Sequence, residues 1–275
     1  MVSFTKLMTA GLLATSAVAM PHAHKYTHKS VAKRSSSKRG AAYNDASTVQ
    51  SLSSSGTVSW AYDWNMIANG DLPSGVEFVP MLWGSKMFGD WFSSIQTVLA
   101  SGSSYIMGFN EPDVSAQACM TPSEAAESYS KYITPYSGSA KLVTPAVTNG
   151  GGDDMGLGWM RQFLEQCTDC SMSVLAVHWY GASADEFKTF VTEAQELATK
   201  YNLESTWVTE FALSSAMTTN SETQSSADFL NEVIPWLDSQ SGVGRYAYYM
   251  CADGYLLSGS ELSASGKAYT YSSSS

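Results

Sequence analysis

The sequence predicts an α/β fold, a single (β/α)8 TIM barrel, and three observations carry that prediction. From residue 40 onward, eight short apolar, β-prone runs alternate with segments of helical periodicity. The span 40–275 is about the length of one such barrel, with no break in composition to mark a second domain. Two of the runs, the fourth and the seventh, carry a glutamate at or near their C-terminal ends, Glu111 and Glu210. That is the end at which a parallel barrel keeps its chemistry.

The elements follow in order. Gly40 to Asn44 is a brief first strand, and Asn44-Asp45 can cap a helix over Ala46 to Leu52. Thr57 to Trp64 and Glu77 to Trp83 are the second and third strands. Asp90 to Ser101 places Trp91, Ile95, Val98 and Leu99 at helical spacing. The fourth strand is Tyr105 to Glu111, stopped by Pro112, which lacks an amide hydrogen and favours extended geometry in the residue before it. Thr121-Pro122-Ser123-Glu124 reads as a capping box with proline in the first turn. Leu142 to Thr148 is the fifth strand, followed by a glycine-rich loop from Asn149. A helix over Trp159 to Gln166 leads to the sixth strand, Val174 to Tyr180. Phe187 to Tyr201 is the clearest amphipathic helix, with Phe187, Phe190, Val191, Ala194, Leu197, Ala198 and Tyr201 on one face. Ser205 to Leu213 is the seventh strand, Ala227 to Leu237 its helix, and Tyr246 to Met250 the eighth strand.

Residues 1–19 read as a secretory signal peptide: Lys6, an apolar run from Leu7 to Met20, and small residues at Ala17-Val18-Ala19. The run is too short for a permanent membrane anchor. Residues 20–39 hold basic residues and three histidines, no acid and almost nothing apolar, so they are expected to lie outside any core as a basic pro-segment or linker. The segment ends in Lys38-Arg39, a dibasic pair, and a cut after Arg39 is one expectation, a retained linker the other.

Seven of the 15 Lys and Arg precede Gly40 and none of the 25 Asp and Glu does, so residues 40–275 carry eight basic against 25 acidic residues, a net of −17. Such a surface repels nucleic acid and other polyanions and leaves a neutral polysaccharide unaffected. Only His178 remains of the four histidines, which excludes a multi-histidine metal site; no metal and no cofactor are expected. The four cysteines fit an oxidising compartment. A local Cys167–Cys170 disulfide is favoured over a redox or zinc motif, and Cys119 and Cys251 are open to a second bridge.

Two carboxylates on two strand ends are the equipment of glycoside hydrolysis. The plainer reading, a solvated rim carboxylate, fits either glutamate taken alone. The runs WAYDWN (Trp60 to Asn65), PMLWG (Pro80 to Gly84), GFNEPD (Gly108 to Asp113), VHWYG (Val177 to Gly181), WVTEFA (Trp207 to Ala212) and RYAYYM (Arg245 to Met250) together resemble the fungal glycosyl hydrolase catalytic-core proteins of glycoside hydrolase family 128. The characterised members of that family are β-1,3-glucanases. The resemblance covers nearly all of residues 40–270 and implies the clan A arrangement: Glu111 as acid/base after the fourth strand, Glu210 as nucleophile after the seventh, and Asn110 donating to the sugar 2-hydroxyl. It implies that Tyr180 bonds the nucleophile and His178 helps to position it, the plainer alternatives being a packed rim aromatic and a satisfied core histidine. Trp83, the last residue of its strand, and Tyr248, in the eighth strand, are the expected stacking platforms. The expectation is therefore a secreted, monomeric, retaining β-1,3-glucanase of the cell wall, with internal cleavage favoured. A β-glucan-binding wall protein of the same fold is the alternative.

Overall fold

The computed structural model describes residues 37–219 and 224–273. The signal peptide and most of the basic segment lie outside the described residues. The elements are β1 (Arg39–Ala42), α1 (Ala46–Ser53), β2 (Val58–Tyr62), β3 (Glu77–Phe78), α2 (Phe88–Ala100), β4 (Tyr105–Met107), α3 (Pro122–Tyr132), β5 (Lys141–Val147), α4 (Gly156–Gln166), β6 (Met172–Gly181), α5 (Ala184–Lys200), β7 (Ser205–Leu213), α6 (Ser214–Thr219), α7 (Gln224–Ser239) and β8 (Val243–Tyr246). A hairpin of β9 (Leu257–Ser258) and β10 (Glu261–Leu262) and a last helix, α8 (Ala264–Tyr271), complete the chain. The eight main strands pair in parallel in the order β3-β2-β1-β8-β7-β6-β5-β4. The outer two meet just beyond β3, where Leu82 N–H donates to the Met107 carbonyl (3.0 Å) and Met107 N–H to that of Pro80 (2.9 Å). The fold is the (β/α)8 barrel predicted.

Alternation along the strands sorts the side chains into two layers. The inner layer includes Ala42, Trp60, Tyr62, Met81, Met107, Val143, Ala176, Trp207 and Ala247. The outer layer packs strands on helices and includes Phe109, Val177, Trp179, Phe187, Phe211, Phe229, Tyr246 and Tyr248. On its inner face β1 offers only Gly40 and Ala42, beside the large Trp60 and Tyr62 of β2. A Cβ on Gly40 would lie 2.2 Å from the Trp60 ring, so glycine there lets Trp60 lie across the barrel axis.

Several helix starts follow the sequence closely. Thr121 and Glu124 form the capping box at α3, and Ser183 caps α5 by accepting from Glu186 N–H. Other elements differ from expectation. β3 has two residues instead of seven, because Pro80 interrupts the ladder, and no helix separates β2 from β3. β4 ends at Met107, four residues early. β1 begins at Arg39, and Lys38 and Arg39 are bonded into the base of the barrel. Cys167 and Cys170 form a disulfide; Cys119 and Cys251 do not pair. They follow β4 and β8, which stand four strands apart in the sheet order.

Candidate active site

The end of β4 is built to hold Asn110 and Glu111 against β5. Gly108 is required there, since a Cβ would lie 2.7 Å from the Pro145 nitrogen. Pro145 cannot donate within β5, and the Thr144 hydroxyl takes over part of the ladder by accepting from Ala176 N–H at 2.9 Å. Past this irregularity, Asn110 N–H donates to the Trp83 carbonyl (2.9 Å) and Glu111 N–H to that of Ala146 (2.8 Å). Glu111 is left-handed, with φ 43°, and not extended as the following proline suggested. A non-glycine residue in that region costs on the order of 1 kcal/mol and persists only where its neighbours fix it. Asp113 supplies some of that fixing by accepting from Thr148 N–H and Oγ and from Gly156 N–H, which ties the loop after β4 to the loop after β5.

Glu210 reaches the barrel interior through a bulge. Val177 pairs with Val208, but His178 pairs with Glu210, so Thr209 is an extra residue in β7. Strict alternation from Trp207 inward and Val208 outward would turn Glu210 outward. The bulge resets the phase and aims Glu210 at the axis, level with His178. The Thr209 carbonyl accepts from the buried Tyr62 hydroxyl at 2.9 Å, a cross-barrel bond that holds the bulge.

The two carboxylates are differently furnished. Glu210 accepts from the Trp64 indole N–H at 2.7 Å on Oε1 and from the Tyr180 hydroxyl on Oε2. Burial, then the Glu210 charge, holds the Tyr180 phenol well above its usual pKa, so it stays a donor. Tyr180 is itself placed by Asn149, whose side-chain amide exchanges two hydrogen bonds with its backbone, at 3.0 and 3.1 Å. Glu111 has one protein partner of this kind, His178 Nδ1 at 2.8 Å. The same nitrogen is 3.5 Å from Glu210 Oε1. His178 is fully buried, which alone would lower its pKa; the charge of Glu210 and the bond to Glu111 outweigh burial and raise it. Glu111, His178 and Glu210 each place one donor atom within 4.8 Å of the others. These are the residues that could offer ligand atoms to a cation; His178 Nδ1 is bonded to Glu111.

Glu111 and Glu210 open onto a cavity of about 480 Å³ lined by Asn44, Asp63, Trp64, Trp83, Asn110, Glu111, Gln117, Tyr180, Glu210 and Tyr249. Asn110 bonds Gln117 through its amide nitrogen (3.3 Å), while its Oδ1 is buried without a protein partner. Of the residues singled out from sequence, Asn110, Glu111, Glu210, Tyr180 and Trp83 line this cavity, and His178 lies directly beneath it. One face of the Trp83 ring is covered by the Lys86 ammonium, 3.4 Å from its centroid.

Tyr248 is a correction. It is buried in the outer layer against Phe211 and Tyr269, and its neighbour Tyr249 lines the cleft instead. The reason is parity: Ala247 points inward, so Tyr248 points out and Tyr249 in. Sequence reasoning also assigned no site role to Asn44, Asp63, Trp64 or Gln117. Asp63 is bonded by Asn65 and Asn69 N–H, and burial holds its carboxyl above the usual value against those bonds. Trp64 was visible as an aromatic at a strand end. Its left-handed backbone, φ 55°, is what turns the indole toward Glu210.

Two facing carboxylates at the C-terminal end of a parallel barrel, one held by phenol and indole donors and the other by a histidine, define the site of a glycoside hydrolase. Residues 40–269 match the glycosyl hydrolase catalytic core family, and the chain belongs to it. Among solved structures, it is 41% identical to a curdlan-specific exo-β-1,3-glucanase of glycoside hydrolase family 128, subgroup III, from Blastomyces gilchristii in complex with glucose, with 85% of this chain and 97% of that one covered at a TM-score of 0.78. It is 25% identical to a subgroup I endo-β-1,3-glucanase from Amycolatopsis mediterranei in complex with laminaritriose, covering 86% and 99% at a TM-score of 0.69. Among curated proteins it is 29% identical over 197 residues to Alkali-sensitive linkage protein 1 of Schizosaccharomyces pombe. That match spans 70% of this chain and 34% of the relative, about a third of the relative's length.

Proposed function

We propose that the chain hydrolyses β-1,3-glucan with retention of anomeric configuration. The observation that carries this reading is the approach of Glu111 and Glu210, with one oxygen of each within 4.8 Å. That is the spacing class of a nucleophile and acid/base pair, since an inverting pair stands about 6.5 Å or more apart to admit water. Glu111, hydrogen-bonded to His178, donates a proton to the glycosidic oxygen. Glu210, fixed by Trp64 and Tyr180, attacks the anomeric carbon and forms a glycosyl ester. Water then enters from the side the leaving group vacated, Glu111 takes its proton, and Glu210 is released.

The aromatic faces of Trp64, Trp83 and Tyr249 and the amides of Asn44, Asn110 and Gln117 suit an uncharged sugar chain. The β-1,3 linkage comes from the glucanase relatives. The internal cleavage favoured from sequence gives way to release from chain ends, the action of the 41% identical relative. Among the described residues no helix is long and apolar enough to cross a membrane. The extracellular location rests on the apolar run after Lys6. Curdlan and cellulose, each incubated with purified protein and excess chelator, provide the test. Short sugars from curdlan alone are expected. Loss of activity with chelator, or faster release from cellulose, overturns the reading.

A further inference from the structure

Trp64 lies just past β2 with a left-handed backbone, φ 55°, a region that bulky side chains rarely adopt. From that backbone its indole N–H reaches Glu210 Oε1 at 2.7 Å. Ring packing fixes where the indole lies, with its centre 5.1 Å from that of Tyr62 and 5.8 Å from that of Tyr249. Those contacts place the ring but do not bond the backbone that carries it. The group that does so is the neighbouring residue, Asp63.

The Asp63 carboxylate reaches over Trp64. Its Oδ1 accepts from Asn65 N–H at 3.2 Å and its Oδ2 from Asn69 N–H at 2.7 Å. The first bond closes a turn from side chain to the backbone two residues on, with Trp64 as the residue enclosed. The second gathers the rest of the loop onto the same carboxylate. That loop is pinned on both sides of β2: the Asn65 carbonyl accepts from Met81 N–H (2.9 Å) past β3, and the Asn69 side-chain amide donates to the Asn44 carbonyl (3.3 Å) past β1. Burial raises the Asp63 pKa and the two loop N–H bonds oppose that rise, so the loop steadies the charge that steadies the loop. A plainer use for Asp63 is to accept from a sugar hydroxyl, since it lines the cavity.

We propose that Asp63 is a positioning residue: by bridging Trp64 it fixes the left-handed backbone that aims the indole N–H at Glu210. The proposal rests on the reading of Glu210 as nucleophile. Asp63 acts through Trp64 and not on the sugar. The nucleophile's two donors are then held alike, Tyr180 by the Asn149 amide and Trp64 by the Asp63 carboxylate, each gripping main chain at or beside the donor.

Two readouts test this, one of them independent of turnover. In NMR spectra of the chain made with isotope-labelled tryptophan, the indole N–H signal missing from Trp64→Phe belongs to Trp64. Asp63→Ala should move that signal toward the position it takes in Glu210→Ala, where the acceptor is gone. In laminari-oligosaccharide hydrolysis, Asp63→Ala should lower kcat by about 10-fold or more while KM changes by less than about 3-fold. In a Trp64→Phe background the same substitution should cost less than about 2-fold, because the bond it protects is already absent. Asp63→Asn keeps one acceptor oxygen and should fall between the unaltered chain and Asp63→Ala in both readouts; it decides the matter if Asp63→Ala does not fold. An unmoved indole signal overturns the proposal whatever the rates do. So do losses that add in full in the Trp64→Phe background, or a rise in KM alone, either of which would put Asp63 on the sugar. A chain inactive on laminari-oligosaccharides overturns the proposed function instead, and the indole signal still decides the role of Asp63.

Discussion

The two ends of the barrel each hold a buried acid and differ in how they satisfy it. At the N-terminal end Glu77 is nearly inaccessible, yet its carboxylate has Arg245 at 2.6 Å and Ser104 N–H at 2.6 Å. The Arg245 guanidinium lies 4.5 Å from the Tyr105 ring centre and 4.8 Å from that of Trp207. Charge, hydrogen bonds and aromatic faces all close that end. At the C-terminal end Glu111 and Glu210 stand together with no arginine or lysine among the residues lining their cavity. Glu111 and Trp64 there are backbone outliers, and Asn110 Oδ1 and His178 Nε2 have no protein partner. Positive-φ residues and unmet hydrogen bonds occur at both ends, Ser171, Asn202 and Arg245 Nη1 at the closed one; what sets the C-terminal end apart is that its two acids face an open cavity with no arginine or lysine lining it. The closed end is where the barrel is stabilised.

Substitutions separate the two ends. Glu210→Gln should lower turnover by on the order of 10³-fold or more while leaving oligosaccharide affinity nearly unchanged. A variant keeping a tenth of the activity excludes Glu210 as nucleophile. At the other end, Arg245→Met takes the arginine away from the buried Glu77 carboxylate, with an expected loss of about 3 kcal/mol. That corresponds to a melting temperature lower by roughly 6–12 °C for a domain of this size. The kcat of the protein still folded should be unchanged, and a fall in kcat would mean that the ends are coupled.

Trp64→Phe removes one donor to a charged acceptor, about 1.5–3 kcal/mol. We expect kcat to fall roughly 10- to 100-fold with the melting temperature held within a few degrees. An unchanged kcat would reduce Trp64 to a wall of the cleft. The smallest effect concerns pH. His178 binds its proton more tightly folded than unfolded, so its contribution is complete below about 6.5, the unfolded value, and is lost as pH rises through the higher folded one. Glu111, Glu210 and Asp113 are the acids that raise it. Unfolding free energies should decline across that window in the unaltered chain and stay flatter in His178→Asn. Parallel curves would assign the decline elsewhere.

Much of the fold and of the carboxylate end was legible in the sequence, for identifiable reasons, while the Glu77–Arg245 pair was not. An Asn-Glu-Pro stop after an apolar run marks a strand end whatever the strand pairs with, and the Thr121/Glu124 box is a local pattern. The misses needed partners. The bulge at Thr209 is defined only against β6, so the sequence of β7 could place Glu210 near its strand end without saying which way it points. Tyr248 and Tyr249 are adjacent and chemically identical; only the phase fixed by Ala247 tells them apart. Trp64 depends on a positive φ at a residue that is not glycine, which its sequence does not announce. Lys38 and Arg39 looked like linker because their charge was counted without the α7 and α8 carbonyls that receive it.

The paired roles of Glu111 and Glu210 are tested most directly by the configuration of the sugar first released. Proton NMR of laminari-oligosaccharide cleavage, recorded before mutarotation equilibrates the anomers, reads it in one experiment. Attack by Glu210 followed by attack of water predicts that the new reducing end appears first as the β-anomer and drifts toward the mixture. An initial α-anomer would mean direct displacement by water and would contradict the assignment of Glu210 as nucleophile.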